Sequence, residues 1–188
     1  MQNSSTKTTA KSPSDSANAK NRRMSPTSGT KFQTDLKSGE KGERHVANAL
    51  KKAFEAAKVS KAGSGKGFDF RLIYDNGKDE LVEVKTDFMS SKTGNLFFEY
   101  SCNGKDSGLK STEAQKWAIL IPHLQEILVT CPKKLFGYLL SSTHRELKGG
   151  DRKAVKGYIV SIETIKKLAF VKSIPTNTRI EKSEYYLT

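Results

Sequence analysis

The stretch FDFRLIYDNGKDELVEVKTDF at residues 68–88 decides the fold predicted for this 188-residue chain. Its first part alternates apolar and polar residues, which is typical of a strand with one buried face. Asn76-Gly77 follows as a dipeptide that favours a tight turn between antiparallel strands. The second part alternates again, so Glu83 and Lys85 lie on one face of a strand and valines lie on the other. The stretch therefore predicts a β-hairpin with ionisable side chains on one face of its second strand.

An amphipathic helix is predicted before the hairpin, over residues 39–58. Glu43, Ala47, Leu50 and Phe54 recur at intervals of four, three and four residues, which places them on one helical face. Glu43 is therefore expected at the edge of the buried face of this helix.

Further helices and strands are predicted after the amphipathic helix. Strands are expected at 68–74, 80–88, 96–102, 126–130 and 156–161, and helices at 133–141 and 162–170. Thr112 and Gln115 form a capping box, which predicts a helix that includes Trp117 and Ala118. The apolar residues 119–121 are either the end of that helix or a short strand, since periodicity does not separate the two. The order of helix, three strands, helix and strand predicts a mixed sheet flanked by helices.

Residues 1–37 differ in composition from the rest of the chain. They are rich in Ser, Thr, Lys and Asn, and their few large apolar residues bury too little surface to offset the entropy lost on ordering. We predict a disordered basic tail over 1–37 and one folded domain over 38–188. A transit peptide is an alternative for the tail, because the segment is rich in Ser and Thr and poor in acids.

The apolar residues and cysteines narrow the class of protein. No uninterrupted apolar run approaches the roughly 18 residues of a membrane span, and the start lacks the apolar stretch of a secretory signal. We therefore expect a cytoplasmic protein without a membrane partner, with organellar targeting left open by the tail. Cys102 and Cys131 form no Cys-x-x-Cys motif, so neither a disulfide framework nor a structural zinc site is expected.

The charge balance of the chain is strongly basic. Lys and Arg number 33 against 20 Asp and Glu, which gives a formal net charge of +13. A surface of this charge attracts polyanions, and nucleic acid is the leading candidate. The alternatives are that the positive charge serves solubility or assembly on an acidic partner.

The two strands of the predicted hairpin bring ionisable residues together. Asp69 on the first strand and Glu83 on the second are expected to converge on a divalent cation. Carboxylate oxygens hold hard cations, which activate water and neutralise the charge that builds up when a phosphodiester is hydrolysed. Lys85 projects from the same face as Glu83, where it would orient the water or stabilise the phosphate charge. The alternative is an exposed polar strand face with an ordinary Glu83–Lys85 ion pair.

Asp69 followed by Glu83-Val84-Lys85, with Glu43 on a preceding helix, resembles the active-site pattern of the PD-(D/E)XK nuclease superfamily. The resemblance implies that Asp69, Glu83 and the Val84 carbonyl bind Mg²⁺, with Mn²⁺ as a substitute. It also implies that Lys85 is the catalytic lysine and that Glu43 assists the metal or the water.

The resemblance covers residues 39–130 and implies an α/β fold, mixed α+β, with a restriction-endonuclease-like αβββαβ core. It implies a DNA endonuclease that works as a homodimer without an organic cofactor. The GEKGE segment at 39–43 and the Gly-rich loop GSGKG at 63–67 look most like those of Holliday junction resolvases and phage-encoded recombination endonucleases. Phe68 departs from the family pattern, which has proline before the aspartate, but that proline has no chemical role.

Four further residues are predicted to contact nucleic acid. Ser64 and Lys66 lie in the Gly-rich loop before the hairpin, and Lys110 precedes a predicted helix N-terminus that would attract a phosphate. Gln115 lies near the start of the same helix, with the capping role as its alternative. Glu99 on the third strand is either a further metal-shell carboxylate or, as we prefer, a plain surface acid.

Two other functions are compatible with these residues. A noncatalytic nucleic-acid-binding or assembly protein that retains the fold would show salt-dependent binding without turnover. A ribonuclease of the same fold would be separated from a deoxyribonuclease by competition between RNA and DNA substrates.

Overall fold

The computed structural model describes residues 28–62, 67–149 and 154–176 of the chain. Ser64 and Lys66, two of the predicted nucleic-acid contacts, lie outside the described residues, as does the 1–27 part of the predicted tail.

Helices and strands are interspersed along the described part of the chain. The helices are α1 (Ser28–Ala53), α2 (Ser90–Thr93), α3 (Pro132–Ser141) and α4 (Ile162–Lys166), and two 3₁₀ turns are η1 (Gly108–Lys110) and η2 (Pro122–Leu124). The strands are β1 (Lys58–Lys61), β2 (Phe70–Ile73), β3 (Asp79–Thr86), β4 (Asn95–Cys102), β5 (Lys105–Asp106), β6 (Lys116–Ile121), β7 (Glu126–Thr130), β8 (Arg145–Gly149), β9 (Val155–Ser161) and β10 (Val171–Pro175).

The strands form two sheets. The central sheet has the order β1-β2-β3-β6-β7-β10, with β3 and β6 parallel and all other neighbours antiparallel. The second sheet has the order β5-β4-β9-β8 and is antiparallel throughout. Parallel neighbours require a long crossover connection, and the segment between β3 and β6 carries α2, β4, β5 and η1. The mixed central sheet and its helices confirm the predicted α/β (mixed α+β) class.

The central sheet is covered on both faces, which gives two hydrophobic cores. The core on the α1 side contains Val46, Leu50, Ala56, Phe70, Leu72, Val82, Val84, Ala118, Leu120, Ile127, Val129 and Ile174. The core between the two sheets contains Leu96, Phe98, Leu109, Trp117, Ile119, Ile121, Leu128, Leu135, Leu139, Val160, Ile162 and Ile165. Since Val82 and Val84 face α1, the alternate residues of β3 face the second sheet.

The predicted hairpin is confirmed as β2 and β3. Phe70 pairs with Val82 in an antiparallel register. Gly77 has φ of 76°, a left-handed conformation that glycine adopts without steric cost, and its N–H donates to the Tyr74 carbonyl. The Asn76 side chain accepts a hydrogen bond from the Lys78 N–H, which stabilises the same turn.

The helix predicted from Thr112 is wrong, because β6 occupies most of that segment. The Thr112 hydroxyl donates to the Gly67 carbonyl and accepts from the Ala114 N–H, so it stabilises a loop instead of capping a helix. β6 runs through the middle of the central sheet and is buried on both faces. A strand buried on both faces is a continuous apolar run, which lacks the period of two by which a half-buried strand is recognised.

Other elements differ from the prediction in place or extent. The predicted third strand is confirmed as β4, but it belongs to the second sheet. The strands β1, β5, β8 and β10 were not predicted, and each lies at the edge of a sheet where exposure weakens the apolar alternation. The helix predicted over 162–170 ends at Lys166 because β10 begins at Val171.

α1 begins earlier than the predicted amphipathic helix. Its backbone is helical from Ser28 to Ala53, so the 28–37 segment that we assigned to the tail belongs to the helix. Tertiary packing nucleates a helix, and extension beyond the packed turns adds one hydrogen bond per residue without a new nucleation cost.

No helix within the described ranges is both long and apolar enough to cross a membrane.

Gly42 of α1 packs closely against Thr86 of β3, and we expect Gly42→Ala to destabilise the fold. A Cβ at this position would lie 2.2 Å from the Thr86 hydroxyl oxygen, whose buried position leaves little room to move. Overpacking of this kind costs about 1–3 kcal/mol. The matched control is Gly39→Ala in the same helix, where a Cβ meets nothing within 4 Å. That control should gain up to about 1 kcal/mol from helix propensity, and urea unfolding of the two variants measures the difference.

Candidate active site

Asp69 is held against β3 by two hydrogen bonds. Its backbone N–H donates to the Val82 carbonyl over 2.9 Å, and its carboxylate Oδ2 accepts from the Val84 N–H over 2.6 Å. The register of the hairpin pairs Phe70 with Val82, so Asp69 lies opposite Glu83 one position further along the ladder. Asp69 therefore lies beside β3, immediately before β2 begins at Phe70, whereas the sequence predicted it on the first strand. The convergence of its carboxylate with that of Glu83 on a cation stays a prediction.

Glu83 and Lys85 lie on the face of β3 that points toward the second sheet. The Lys85 Nζ is 2.6 Å from the Glu83 Oε1, and the side chains are 51% and 15% exposed, respectively. The Lys85 Nζ also lies 5.4 Å from the centre of the Trp117 ring, within range of a cation–π interaction. Glu83 is thus largely buried and paired, while the lysine reaches solvent.

Glu43 approaches the pair from α1, on the other side of Asp69. The close packing of Gly42 on Thr86 brings this part of the helix next to the end of β3. The Glu43 carboxylate lies 3.7 Å from the Lys61 Nζ, and the same ammonium lies 3.5 Å from Glu40. Sequence reasoning missed Lys61 and Glu40, although Glu40 precedes Glu43 by one helical turn and shares its side of the helix.

Burial and mutual repulsion disfavour the charged forms of two of the carboxylates. Burial, with a further contribution from the Asp69 charge, raises the pKa of Glu43, and Lys61 offsets only part of this. Burial also raises the pKa of Glu83 against the opposing effect of Lys85, and the Asp69 charge adds to the increase. The Asp69 charge therefore acts on both Glu43 on α1 and Glu83 on β3.

Glu83 and Lys85 open into a groove of about 570 Å³ between β3, β4 and the loop that contains η1. The residues that line it are Gly67, Glu83, Lys85, Thr86, Asp87, Phe88, Met89, Leu96, Phe97, Phe98, Glu99, Gly108, Ser111, Thr112, Trp117 and Ile119. Glu99 is half-buried in this lining, and both readings of it, metal-shell carboxylate and plain surface acid, stay predictions. The alternation within β4 places Glu99 on the face opposite Phe98, but it cannot predict a groove whose other lining residues come from other strands.

The donor atoms at this site match the preferences of a hard divalent cation. Asp69, Glu83 and the Val84 carbonyl offer oxygen ligands, and a cation would relieve the repulsion between the carboxylates. The raised pKa of Glu43 comes mainly from its burial, and the charges of Asp69, Glu40 and Glu83 add to the increase. Among the described side chains, no three His, Cys, Asp or Glu residues are grouped closely enough to hold a metal ion. The chemistry therefore fits a metal, while complete coordination requires the backbone oxygen, water or a substrate phosphate as further ligands.

The structure gives the other predicted contacts different surroundings. Lys110 ends the 3₁₀ turn η1, and its Nζ lies 2.7 Å from Asp106, so no α-helix N-terminus is present for it to reinforce. The Gln115 side chain accepts a hydrogen bond from the Leu81 N–H over 2.6 Å and so fastens the start of β6 to β3. This contact replaces the capping role, while Gln115 is exposed and its contact with nucleic acid stays a prediction.

We expect Glu43→Gln to raise the melting temperature near neutral pH. A carboxyl with a raised pKa stabilises the folded state below its unfolded pKa and loses that contribution as the pH rises through its folded pKa. At neutral pH the ionised Glu43 therefore opposes folding, and the neutral amide removes this cost. The difference from the unmodified chain should shrink as the pH is lowered from about 7 toward 4.5 in EDTA-containing buffer. Glu40→Gln is the matched control, because Glu40 contacts the same lysine with a half-exposed side chain.

Comparisons with known proteins add one structural likeness to this description. No family model matches the sequence, and no curated protein matches it. The chain is similar in structure to a bacterial homing endonuclease, I-Ssp6803I, with a TM-score of 0.44 and 17% sequence identity over 81% of this chain and 87% of that chain. At this level of similarity the likeness assigns neither a family nor an activity.

Proposed function

We propose that this protein is a divalent-metal-dependent DNA endonuclease. The observation that carries the proposal is the hydrogen bond from the Val84 N–H to the Asp69 carboxylate, next to the Glu83–Lys85 pair that lines an open groove. The net charge of +13 supplies attraction for a polyanionic substrate. A buried carboxylate beside a second carboxylate is a costly arrangement that a folded protein retains where it has a function.

The mechanism divides the chemistry among the residues of the site. Asp69, Glu83 and the Val84 carbonyl would hold Mg²⁺, or Mn²⁺ in its place, which when bound neutralises phosphate charge and lowers the pKa of water. Lys85 is long and half exposed, so its ammonium can reach a phosphate oxygen when it gives up its hydrogen bond to Glu83. Glu43, with its raised pKa, is suited to accept a proton from the attacking water.

The finer substrate class that we propose is branched or recombination DNA, as for the Holliday junction resolvases that the sequence resembles. Cutting such a junction symmetrically requires two active sites at a fixed spacing, so we propose a homodimer as the active form. A monomer that cleaves with full activity would contradict this part of the proposal, and sedimentation of the protein with and without junction DNA measures it.

A substrate panel tests the activity directly. Linear duplex, single-stranded, flapped and four-way-junction DNA, and a matched single-stranded RNA, are each incubated with the protein in Mg²⁺, Mn²⁺ or EDTA. We expect cleavage in Mg²⁺ and Mn²⁺, none in EDTA and the fastest cleavage with a branched DNA. Equal cleavage with EDTA would overturn the metal dependence, and cleavage of RNA alone would assign a ribonuclease instead.

A noncatalytic nucleic-acid-binding protein is the second candidate function. Two observations favour it: the ion pair between Lys85 and Glu83, and the lack of a three-residue metal-binding group in the described part of the chain. This candidate predicts binding that weakens with salt and needs no divalent ion, with no turnover of any substrate in the panel.

A further inference from the structure

Phe97 is a large apolar side chain that the fold leaves open to solvent. Its neighbours Leu96 and Phe98 are buried in the core between the sheets, whereas Phe97 is 39% exposed and points away from that core. Met89, at the start of α2, is 59% exposed. Both side chains line the groove that contains Glu83 and Lys85, so exposed apolar surface lies beside the proposed active site.

The Phe97 ring is held in place from one side by a glycine. A Cβ at Gly157 in β9 would lie 2.5 Å from two carbons of the ring. The ring therefore occupies the space that a side chain at position 157 would fill. Gly157 is itself buried by this contact. An aromatic ring that is supported on one side and exposed on the other is ordered before it binds anything, which lowers the entropic cost of binding.

The adjoining groove is large enough for an unpaired nucleotide, and its charged lining residues are Lys85, Glu83, Asp87 and Glu99. Its volume of about 570 Å³ falls in the range of sites that hold small molecules. Lys85 offers a positive charge for a phosphate, and Phe97 offers an aromatic surface for a base. Aromatic side chains stack on the faces of bases, and those faces are free only where the base is not stacked within a duplex.

We propose that Phe97 is a stacking platform for an unpaired DNA base, with Met89 as a second apolar contact. This inference rests on the proposed function for the position of the phosphate, which would lie beside Lys85. The base next to that phosphate stacks on Phe97, so the site selects DNA that is unpaired or distorted at the point of cleavage. Stacking on Phe97 thus gives the groove a preference for DNA with an unpaired base, which the carboxylates alone do not provide.

DNA binding in EDTA tests the platform separately from cleavage. The full chain is titrated with two duplexes of equal length, one fully paired and one that carries a single unpaired 2-aminopurine. We expect about tenfold tighter binding of the second duplex and a change in 2-aminopurine fluorescence. Phe97→Leu, which keeps an apolar side chain over Gly157, should abolish both effects, whereas Phe97→Tyr should retain them. Leu140→Ala on α3 is the control, since Leu140 is 61% exposed and lies outside the groove lining.

The outcomes separate this inference from the proposed function. A preference for the unpaired base that survives Phe97→Leu would overturn the platform, even if the protein cleaves DNA. A Phe97-dependent preference without cleavage in Mg²⁺ would support the platform and contradict the nuclease. A shift in oligomeric state on Phe97→Leu with an unchanged DNA preference would assign the ring to a contact between copies of the chain and overturn the platform.

Discussion

Replacing Asp69 by Asn lowers the rate of DNA cleavage by at least about 100-fold, if the proposed site is correct. The amide retains an oxygen that accepts the Val84 N–H, so the link between Asp69 and β3 survives the change. The negative charge is lost, and with it a hard ligand for the cation and the repulsion that Asp69 exerts on Glu43 and Glu83. Cleavage of a labelled duplex or junction under single-turnover conditions in Mg²⁺ measures the effect.

The control for this variant is Asp75→Asn in the exposed turn of the same hairpin. It removes the same charge from the protein without touching the site, so its cleavage rate should be unchanged. Both variants should bind DNA, because the basic surface is intact. A cleavage rate of Asp69→Asn equal to that of the control would remove Asp69 from the mechanism.

Replacing Lys85 by Met is expected to reduce cleavage by at least about 100-fold as well, with a different effect on the pH dependence. Met keeps the length and the apolar part of the side chain but provides no charge for a phosphate. Lys85 is also the group that lowers the pKa of Glu83 against its burial. Without the lysine, the pKa of Glu83 rises further, and residual activity should require a higher pH. The measurement is a pH profile of the single-turnover rate.

Lys92→Met in α2 is the control for Lys85, since Lys92 is an exposed lysine close in sequence to the groove. It removes one positive charge, so a nonspecific loss of DNA affinity would affect both variants equally. Lys85→Arg should recover only part of the activity, because the planar guanidinium has a different shape and hydrogen-bonding geometry. If Lys85→Met and Lys92→Met reduce cleavage to the same extent, Lys85 acts through net charge alone.

The hairpin and the face on which its ionisable residues lie were predictable from the sequence. The period of two in a strand is a property of the backbone, so Glu83 and Lys85 share a face whatever packs against them. The Asn76-Gly77 dipeptide determines the turn, and the turn determines the register that places Asp69 beside Glu83. Three residues of the candidate site were thus identified before any tertiary contact was known.

The remaining neighbours of the site come from elements that are distant in the sequence. Lys61 reaches Glu43 from β1, an edge strand with little alternation of its own. Glu99 lines the groove because β4 belongs to the second sheet and not to the central one. Phe97 owes its support to Gly157, and no local pattern relates these two residues.

The sequence by itself determined the hairpin, the basic balance and the order of Asp69, Glu83 and Lys85 along it, because each depends on local backbone geometry or on composition. Only the tertiary structure decided that β6 is a strand, since burial on both faces removes the periodicity that distinguishes a strand from a helix. It also decided the groove, which lies where two sheets meet, and the position of Phe97 over Gly157, which is distant from it in the sequence. Those contacts depend on packing between elements, and a linear pattern records only the residues within each element.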